Sequence, residues 1–255
     1  MGNGEGPAPL TPLKGMILMG KNPKVFIDGK GGVVGARLYE QLSRRSDLDF
    51  LIIDPEKRRD VEERRKLLNE ADLAILCLPE ETAAQAVELV DNPNTRIIDT
   101  SPAHRTTPGW VYGFAELLPG QRQRIRFSKR VANPGCHASG FLSTVAPLVQ
   151  MGMLPPDYPV SCFSITGYSG GGKDMIAEFE DPNRDPALAA PALYSLELRH
   201  NHLNEMQHIA GLEYPPVFVP ILSDMYSGMA TSVTLQNRLL RGTPTAQDIC
   251  EMLQS

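Results

Sequence analysis

The stretch from residue 24 to residue 45 constrains the fold more than any other part of the chain. KVFID at 24–28 reads as a short buried strand, and residues 33–45 carry the apolar spacing of a helix. Between them lie Gly29, Lys30, Gly31, Gly32, Val33, Val34 and Gly35. The glycines satisfy G-x-G-x-x-x-G and G-x-x-G-x-x-G spacings, but not the strict G-x-G-x-x-G. Glycine lets the backbone turn sharply and approach a pyrophosphate, and the helix start offers free N–H groups and the positive end of a dipole. Many strand-to-helix turns are glycine-rich for steric reasons alone. The place of this one, after a strand and before a helix, points to dinucleotide binding.

The same grammar then repeats. Strands are expected at 49–54, 73–78 and 96–101, with helices at 55–70 and 80–90. Strands alternating with helices imply α/β architecture with a parallel sheet and right-handed crossovers. After residue 101 turns and irregular stretches dominate as far as Pro134. A helix is expected at 136–151, a strand at 159–167 and a long helix at 191–211. Two β-rich runs follow at 216–222 and 229–236, then a closing helix capped by Thr243. This second half reads as α+β. The expected division is a flexible tail at 1–22, a dinucleotide-binding domain at 23–135 and a second domain at 136–255.

Composition removes several function classes. The net charge of −5 argues against a nucleic-acid footprint. No apolar run approaches the roughly 18 residues of a membrane span. The four cysteines are scattered without a C-x-x-C pair, so a reducing, cytoplasmic compartment is expected rather than a disulfide framework.

The end of the second strand should face the adenosine ribose. Asp54 there favours NAD, whereas Lys57, Arg58 and Arg59 just after it could pair a 2′-phosphate. The residues alone do not choose between NAD and NADP, and such a charge run is also the ordinary solvated face of a helix.

Asn133-Pro134-Gly135-Cys136 is the sharpest local signal. Proline and glycine break the chain just before an apolar helix, placing Cys136 at its N-terminus. There the dipole favours the thiolate, and free N–H groups can hold an oxyanion. Cys77, Cys162 and Cys250 read as packing residues. A nucleophilic cysteine needs a proton-transfer partner. The candidates are His104, His137, His200, His202 and His208; of these, His200 and His202 lie in a region expected to be helical, with Glu205 placed to orient an imidazole. An i, i+2 pair on a helix cannot converge on one ion, so no metal site is expected. His137 adjoins the cysteine but is expected to point elsewhere, and His208 reads as structural. GYSGGGK at 167–173 lacks P-loop spacing but could form an anion-binding nest with Lys173.

Taken together, FIDGKGGVVG, ADLAILCLP, IIDTSPAHRTTPGWVYGFAEL, VANPGCHASGF, GYSGGGK and RHNHLNEM resemble, in order from about residue 24, the N-acetyl-γ-glutamyl-phosphate reductases of arginine biosynthesis in their shorter variant form. Aspartate-semialdehyde dehydrogenases of the wider family share the glycine loop and the cysteine, not the whole set. The resemblance implies an NAD(P)-binding Rossmann domain joined to a glyceraldehyde-phosphate-dehydrogenase-like catalytic and dimerisation domain, in a cytoplasmic homo-oligomer. It implies an NADP-dependent oxidoreductase with NADPH held by Gly29, Gly31, Gly32, Val33, Val34, Gly35 and Arg58. It makes Cys136 the nucleophile that expels phosphate and forms a thioester, and His200 or His202 the acid/base. Arg105 would clamp the substrate phosphate or carboxylate, and Asn133 would support the cysteine loop. The family's H-x-H-x-P-E has Asn204 here in place of proline, and SDMYSGM lacks an arginine often found before its glycine. Family members continue for several dozen residues past position 255, so a C-terminally truncated catalytic domain is expected. The competing readings are another semialdehyde dehydrogenase, with an aspartyl or aminoadipyl substrate, and a catalytically impaired NADP-binding relative.

Overall fold

The computed structural model describes residues 21–254, so most of the tail expected at 1–22 lies outside the described residues. A six-stranded, wholly parallel sheet forms the first layer. Its strands are β1 (Lys24–Asp28), β2 (Asp49–Leu51), β3 (Leu73–Leu76), β4 (Arg96–Asp99), β5 (Val111–Tyr112) and β6 (Arg130–Ala132), in the order β2-β1-β3-β4-β6-β5. The irregular reading of the stretch after residue 101 thus needs correction. Two short strands and helix α4 (Gln121–Phe127) lie there, too short to show a period, and they extend the sheet at one edge.

Alternation along β1 sends its side chains into two cores. Phe26 packs with Leu68, Leu76 and Ile97 beneath α2 (Val61–Glu70) and α3 (Glu80–Glu88). Val25 and Ile27 pack on the other side with Leu38, Tyr39 and Leu42 of α1 (Val33–Leu42). Parallel strands covered on both faces need this double-sided apolar content. The helix expected over 55–70 is two pieces. Asp54 accepts from the Glu56 N–H to cap a 3-10 turn at Pro55–Lys57, and Asp60 caps α2 through the N–H groups of Glu62 and Glu63. Asp54 is therefore already engaged by its own turn. At the end of β1, Asp28 is buried and accepts from Arg64 of α2 at 2.8 and 3.0 Å.

The second sheet, in the order β10-β7-β9-β8, comprises β7 (Ser161–Gly167), β8 (Ala192–Leu193), β9 (Val217–Ser223) and β10 (Met229–Thr234), with helix α6 (Lys173–Glu180) between β7 and β8. Its inner face packs on α5 (Cys136–Gln150), where Phe141, Leu142, Val145 and Leu148 meet Cys162, Phe218 and Met206. Its outer face leaves Phe163, Ile165 and Val217 exposed.

Three further expectations are corrected. The long helix at 191–211 is instead β8, a turn-rich link and the short α7 (Leu203–Ala210). Pairing of β8 with β9, together with positive φ at Ser195 (51°) and Leu198 (58°), breaks the helical path. The closing helix α8 is Ala246–Gln254, capped by reciprocal bonds between Thr245 and Asp248, whereas Thr243 has φ 47°. Cys250 is exposed rather than packed.

Candidate active site

The cysteine helix begins where the sequence places it. Gly135, with φ −71° and ψ 149°, is the N-cap of α5, and Cys136 is its first residue. The thiol lines a cavity of about 470 Å³ with Ser139, Thr166, Gly167, Ser169 and Gly228. The N–H groups of Cys136 and His137 and the charge of Arg105 all favour its thiolate. Burial of the surrounding site outweighs them and pushes the thiol above its ordinary value. The expected dipole stabilisation is present, yet it does not by itself hold the sulfur as an anion.

A buried carboxylate organises the space behind the cysteine. Glu205, 1% exposed, accepts from Arg105 Nη1 at 2.6 Å, from the Tyr112 hydroxyl at 2.6 Å and from the Gly135 N–H at 3.1 Å. It thereby joins α7, β5, the arm after β4 and the N-cap of the catalytic helix. Burial lifts its carboxyl above the ordinary range against the pull of Arg105, Tyr112 and Gly135. The sequence reading gave Glu205 only the task of orienting an imidazole. His202 Nε2 is 3.9 Å from Glu205 Oε1, outside hydrogen-bond range.

Arg105 does not extend a free fork into the cavity. Besides Glu205, it donates from Nε to Asn133 O (3.1 Å) and from Nη2 to Thr100 O (3.2 Å), and its side chain is 8% exposed. Arg105 thereby brackets the arm to the cysteine loop. Asn133 takes part through its backbone, donating to Asp99 O at 2.7 Å, while its side chain reaches Pro134 O. The arm is shaped by buried Asp99, which accepts from Ser101 N (2.9 Å) and Ser101 Oγ (2.8 Å) and meets His104 Nδ1 at 2.6 Å. His104 stacks on Trp110 with centroids 4.0 Å apart. The sequence reading missed this network, because its members are related by a turn and not by a motif spacing.

The histidines also differ from expectation. His202 is the N-cap of α7 and His200 sits in the turn before it, so the helical i, i+2 argument does not apply. Their rings come within 4.6 Å, centroid to centroid. His137 does not point away: its ring lies 5.6 Å from His200 and 5.7 Å from His202. His200 is half-buried, and its Nδ1 accepts from the His202 N–H at 3.1 Å. His202 is buried, with Nδ1 lacking a partner among the described residues, and burial pushes it down to about 2. Asn204 sits in the first turn of α7, where a helix N–H has no intrahelical acceptor, so the family's proline would fit there; its side chain donates to Thr106 Oγ1 at 2.8 Å.

The glycine turn forms a second cleft, of about 400 Å³, lined by Gly32, Val33, Val34, Thr100, Pro102 and Lys173. Cys77, also read as packing, lines it too. Gly29 has φ 86°, and a Cβ there would strike the Cys77 backbone. Gly31 faces open space, and Gly32 is the N-cap of α1, which has no side-chain cap. Uncapped N–H groups beside a cradle without side chains fit a dinucleotide pyrophosphate. Lys173, from the second glycine loop, donates to Gly31 O across the cleft. Arg58 is exposed beyond the end of β2.

Comparison with known proteins agrees with this geometry. The family model described as semialdehyde dehydrogenase, NAD binding domain, matches residues 24–125, and that described as semialdehyde dehydrogenase, dimerisation domain, matches residues 136–255. The chain is 45% identical over 234 residues to N-acetyl-gamma-glutamyl-phosphate reductase 2 of Pseudomonas putida, covering 91% of this chain and 74% of that protein. It is 41% identical over 231 residues to the protein of the same name from Nostoc sp., covering 89% and 72%. Aspartate semialdehyde dehydrogenase from Francisella tularensis superposes with a TM-score of 0.68 at 14% identity, covering 91% and 80%; at that identity the likeness is one of fold. The chain belongs to the semialdehyde dehydrogenase family, in the branch of the N-acetyl-gamma-glutamyl-phosphate reductases.

Proposed function

We propose that the protein reduces N-acetyl-L-glutamyl 5-phosphate to N-acetyl-L-glutamate 5-semialdehyde, releasing phosphate, through a thioester on Cys136. The observation that carries the reading is Cys136 at the mouth of α5, open to a cavity and bracketed from behind by Glu205 and Arg105. The sulfur attacks the acyl carbon and phosphate leaves with the C–O bonding pair. The N–H groups of the first turn face the oxygen that gains charge. NADPH held at the glycine turn would supply a hydride; Cys136 holds the acyl group as a thioester for that reduction and regains its thiol when the thiohemiacetal on its sulfur collapses.

Of the two candidate acid/bases, His200 fits better. Its Nδ1 is held as an acceptor by the His202 N–H, which leaves the proton on Nε2. An Nε2–H can donate to the leaving phosphate or to the thiohemiacetal oxygen. His202 is walled in and works as the support of that turn. Arg105 and Asn133 are positioning residues. The residues that would hold NADPH are Gly29, Gly31, Gly32, Val33, Val34 and Gly35, with Lys173 across the cleft and Arg58 toward a 2′-phosphate.

We place the cofactor-binding domain at 23–135 and the catalytic domain from 136 onward, in a cytoplasmic homo-oligomer. Among the described residues no helix is long and apolar enough to cross a membrane. The family's dimerisation domain and the exposed Phe163, Ile165 and Val217 support self-association through the outer face of the second sheet. The test is phosphate-dependent reduction of NADP by the semialdehyde. Cys136→Ala should abolish turnover while NADPH still binds, and turnover in that variant would remove the covalent mechanism. Preference for aspartate semialdehyde in kcat/KM would reassign the substrate.

A further inference from the structure

The proposed reaction leaves His137 without a task, yet it is one of the most constrained side chains in the molecule. It is 2% exposed, and both ring nitrogens are engaged. Nδ1 is 2.7 Å from Ser164 Oγ on β7, and Nε2 is 2.7 Å from the Tyr194 hydroxyl just after β8. Ser164 Oγ is in turn 3.0 Å from Thr231 Oγ1 on β10. The chain Thr231–Ser164–His137–Tyr194 therefore ties two strands and the link after β8 to the first turn of α5. Thr231 also fills the space where Gly140 would carry a side chain.

Burial pushes His137 down to about 4, so its ring is neutral near pH 7. A neutral imidazole has one donor and one acceptor, so the hydroxyls on either side of it must point in the same direction along the chain. The backbone N–H of the same residue, next to Cys136 in the first turn of α5, favours the Cys136 thiolate. Fixing the ring on both sides fixes the aim of that N–H. The far end of the chain is held just as firmly. Tyr194 donates its N–H to Pro220 O at 3.3 Å, and the strained φ of Ser195 follows immediately.

We propose that His137 and Tyr194 are positioning residues for the nucleophile: the hydrogen-bond chain from Thr231 to Tyr194 locks the first turn of α5 so that the His137 N–H points at Cys136 Sγ. The inference rests on the reading of Cys136 as the nucleophile. The other groups that reach Cys136 electrostatically are Arg105 from the arm after β4, Glu205 from α7 and Tyr194 itself. The rings of His200 and His202 lie 5.6 and 5.7 Å from that of His137, centroid to centroid.

The test uses Tyr194→Phe and Ser164→Ala, each removing one hydroxyl at either end of His137. Alkylation of Cys136 by iodoacetamide is followed from pH 6 to 10, with the four cysteines resolved by mass spectrometry of their peptides. In each variant the rate at pH 7 should fall roughly five- to tenfold and its midpoint should move up by as much as about one pH unit, the effect of one lost hydrogen bond. NADPH affinity should be unchanged, kcat should fall and KM should hold. The double variant should lose no more than the worse single one, because both act through the same ring. A wild-type alkylation profile in both single variants, or additive losses in the double, overturns the proposal. The alkylation arm needs no substrate, so it is judged separately from the reaction assigned above.

Discussion

Gly135→Ala is a substitution that local reasoning makes nearly neutral and tertiary reasoning makes costly. The backbone at Gly135 is extended, φ −71° and ψ 149°, a conformation that alanine adopts freely. Local reasoning therefore predicts a gain of about 0.4–1 kcal/mol from a stiffer unfolded chain, offset by at most about 1 kcal/mol for a poorer N-cap. The tertiary surroundings dictate otherwise. A Cβ at Gly135 would stand inside 3.0 Å of Glu205 Oε1, His202 Nε2 and Arg105 Nη1 together. None of the three can swing aside, because Glu205 is 1% and His202 7% exposed and Arg105 is held by Glu205, Asn133 O and Thr100 O. The cost is overpacking, about 1–3 kcal/mol, rising toward 3–5 kcal/mol if the Arg105–Glu205 pair is forced open. We expect a loss of about 2–5 kcal/mol in urea denaturation. Thermal scans should fall about 4–20 °C, at 2–4 °C per kcal/mol for a domain of this size. Cys136 alkylation should slow in parallel, since the N-cap of its helix moves. In a Glu205→Ala background the same change should cost at least about 1 kcal/mol less, because one of the colliding groups is gone. A neutral or stabilising Gly135→Ala would refute the reasoning and reduce Gly135 to a helix breaker.

Three other outcomes follow from the same structure. His137 and His202 are held below the ordinary histidine value, at about 4 and about 2, so the unfolded chain binds more protons. Their contribution is present above about pH 6.5 and is lost as pH falls toward those values, about 3 kcal/mol for His137 alone; a flat denaturation profile between pH 6.5 and 5 would contradict it. Gly29→Ala should abolish or sharply weaken NADPH binding in a fluorescence titration, because φ is 86° and the Cys77 backbone blocks a Cβ; unchanged affinity would move the cofactor elsewhere. Lys173→Met should raise the Kd for NADPH about tenfold, the worth of one charge-assisted hydrogen bond, with Cys136 alkylation unaffected in the absence of cofactor.

Much of the first sheet and the start of the cysteine helix can be read directly along the chain. Buried parallel strands must be apolar on both faces, so KVFID and LAIL announce themselves, and Pro134-Gly135 ends one element just before another begins. Local chemistry of this kind is written in adjacent residues. Segment 191–211 could not be read the same way. Its composition suits a helix, but Tyr194 is claimed by His137, 57 positions away, and residues 192–193 by β9.

A glycine turn that opens one helix and a cysteine at the mouth of another are both legible in adjacent residues, because each depends on backbone geometry within a few positions. The tertiary structure alone decided how the remaining polar residues are used. Glu205 meets Arg105 across 100 positions and Tyr112 across 93. Those pairings make Arg105 a bracket and turn a helix-breaking glycine into a required clearance. A buried charge or hydrogen-bonding ring must find partners wherever the fold brings them, and no spacing along the chain records that distance.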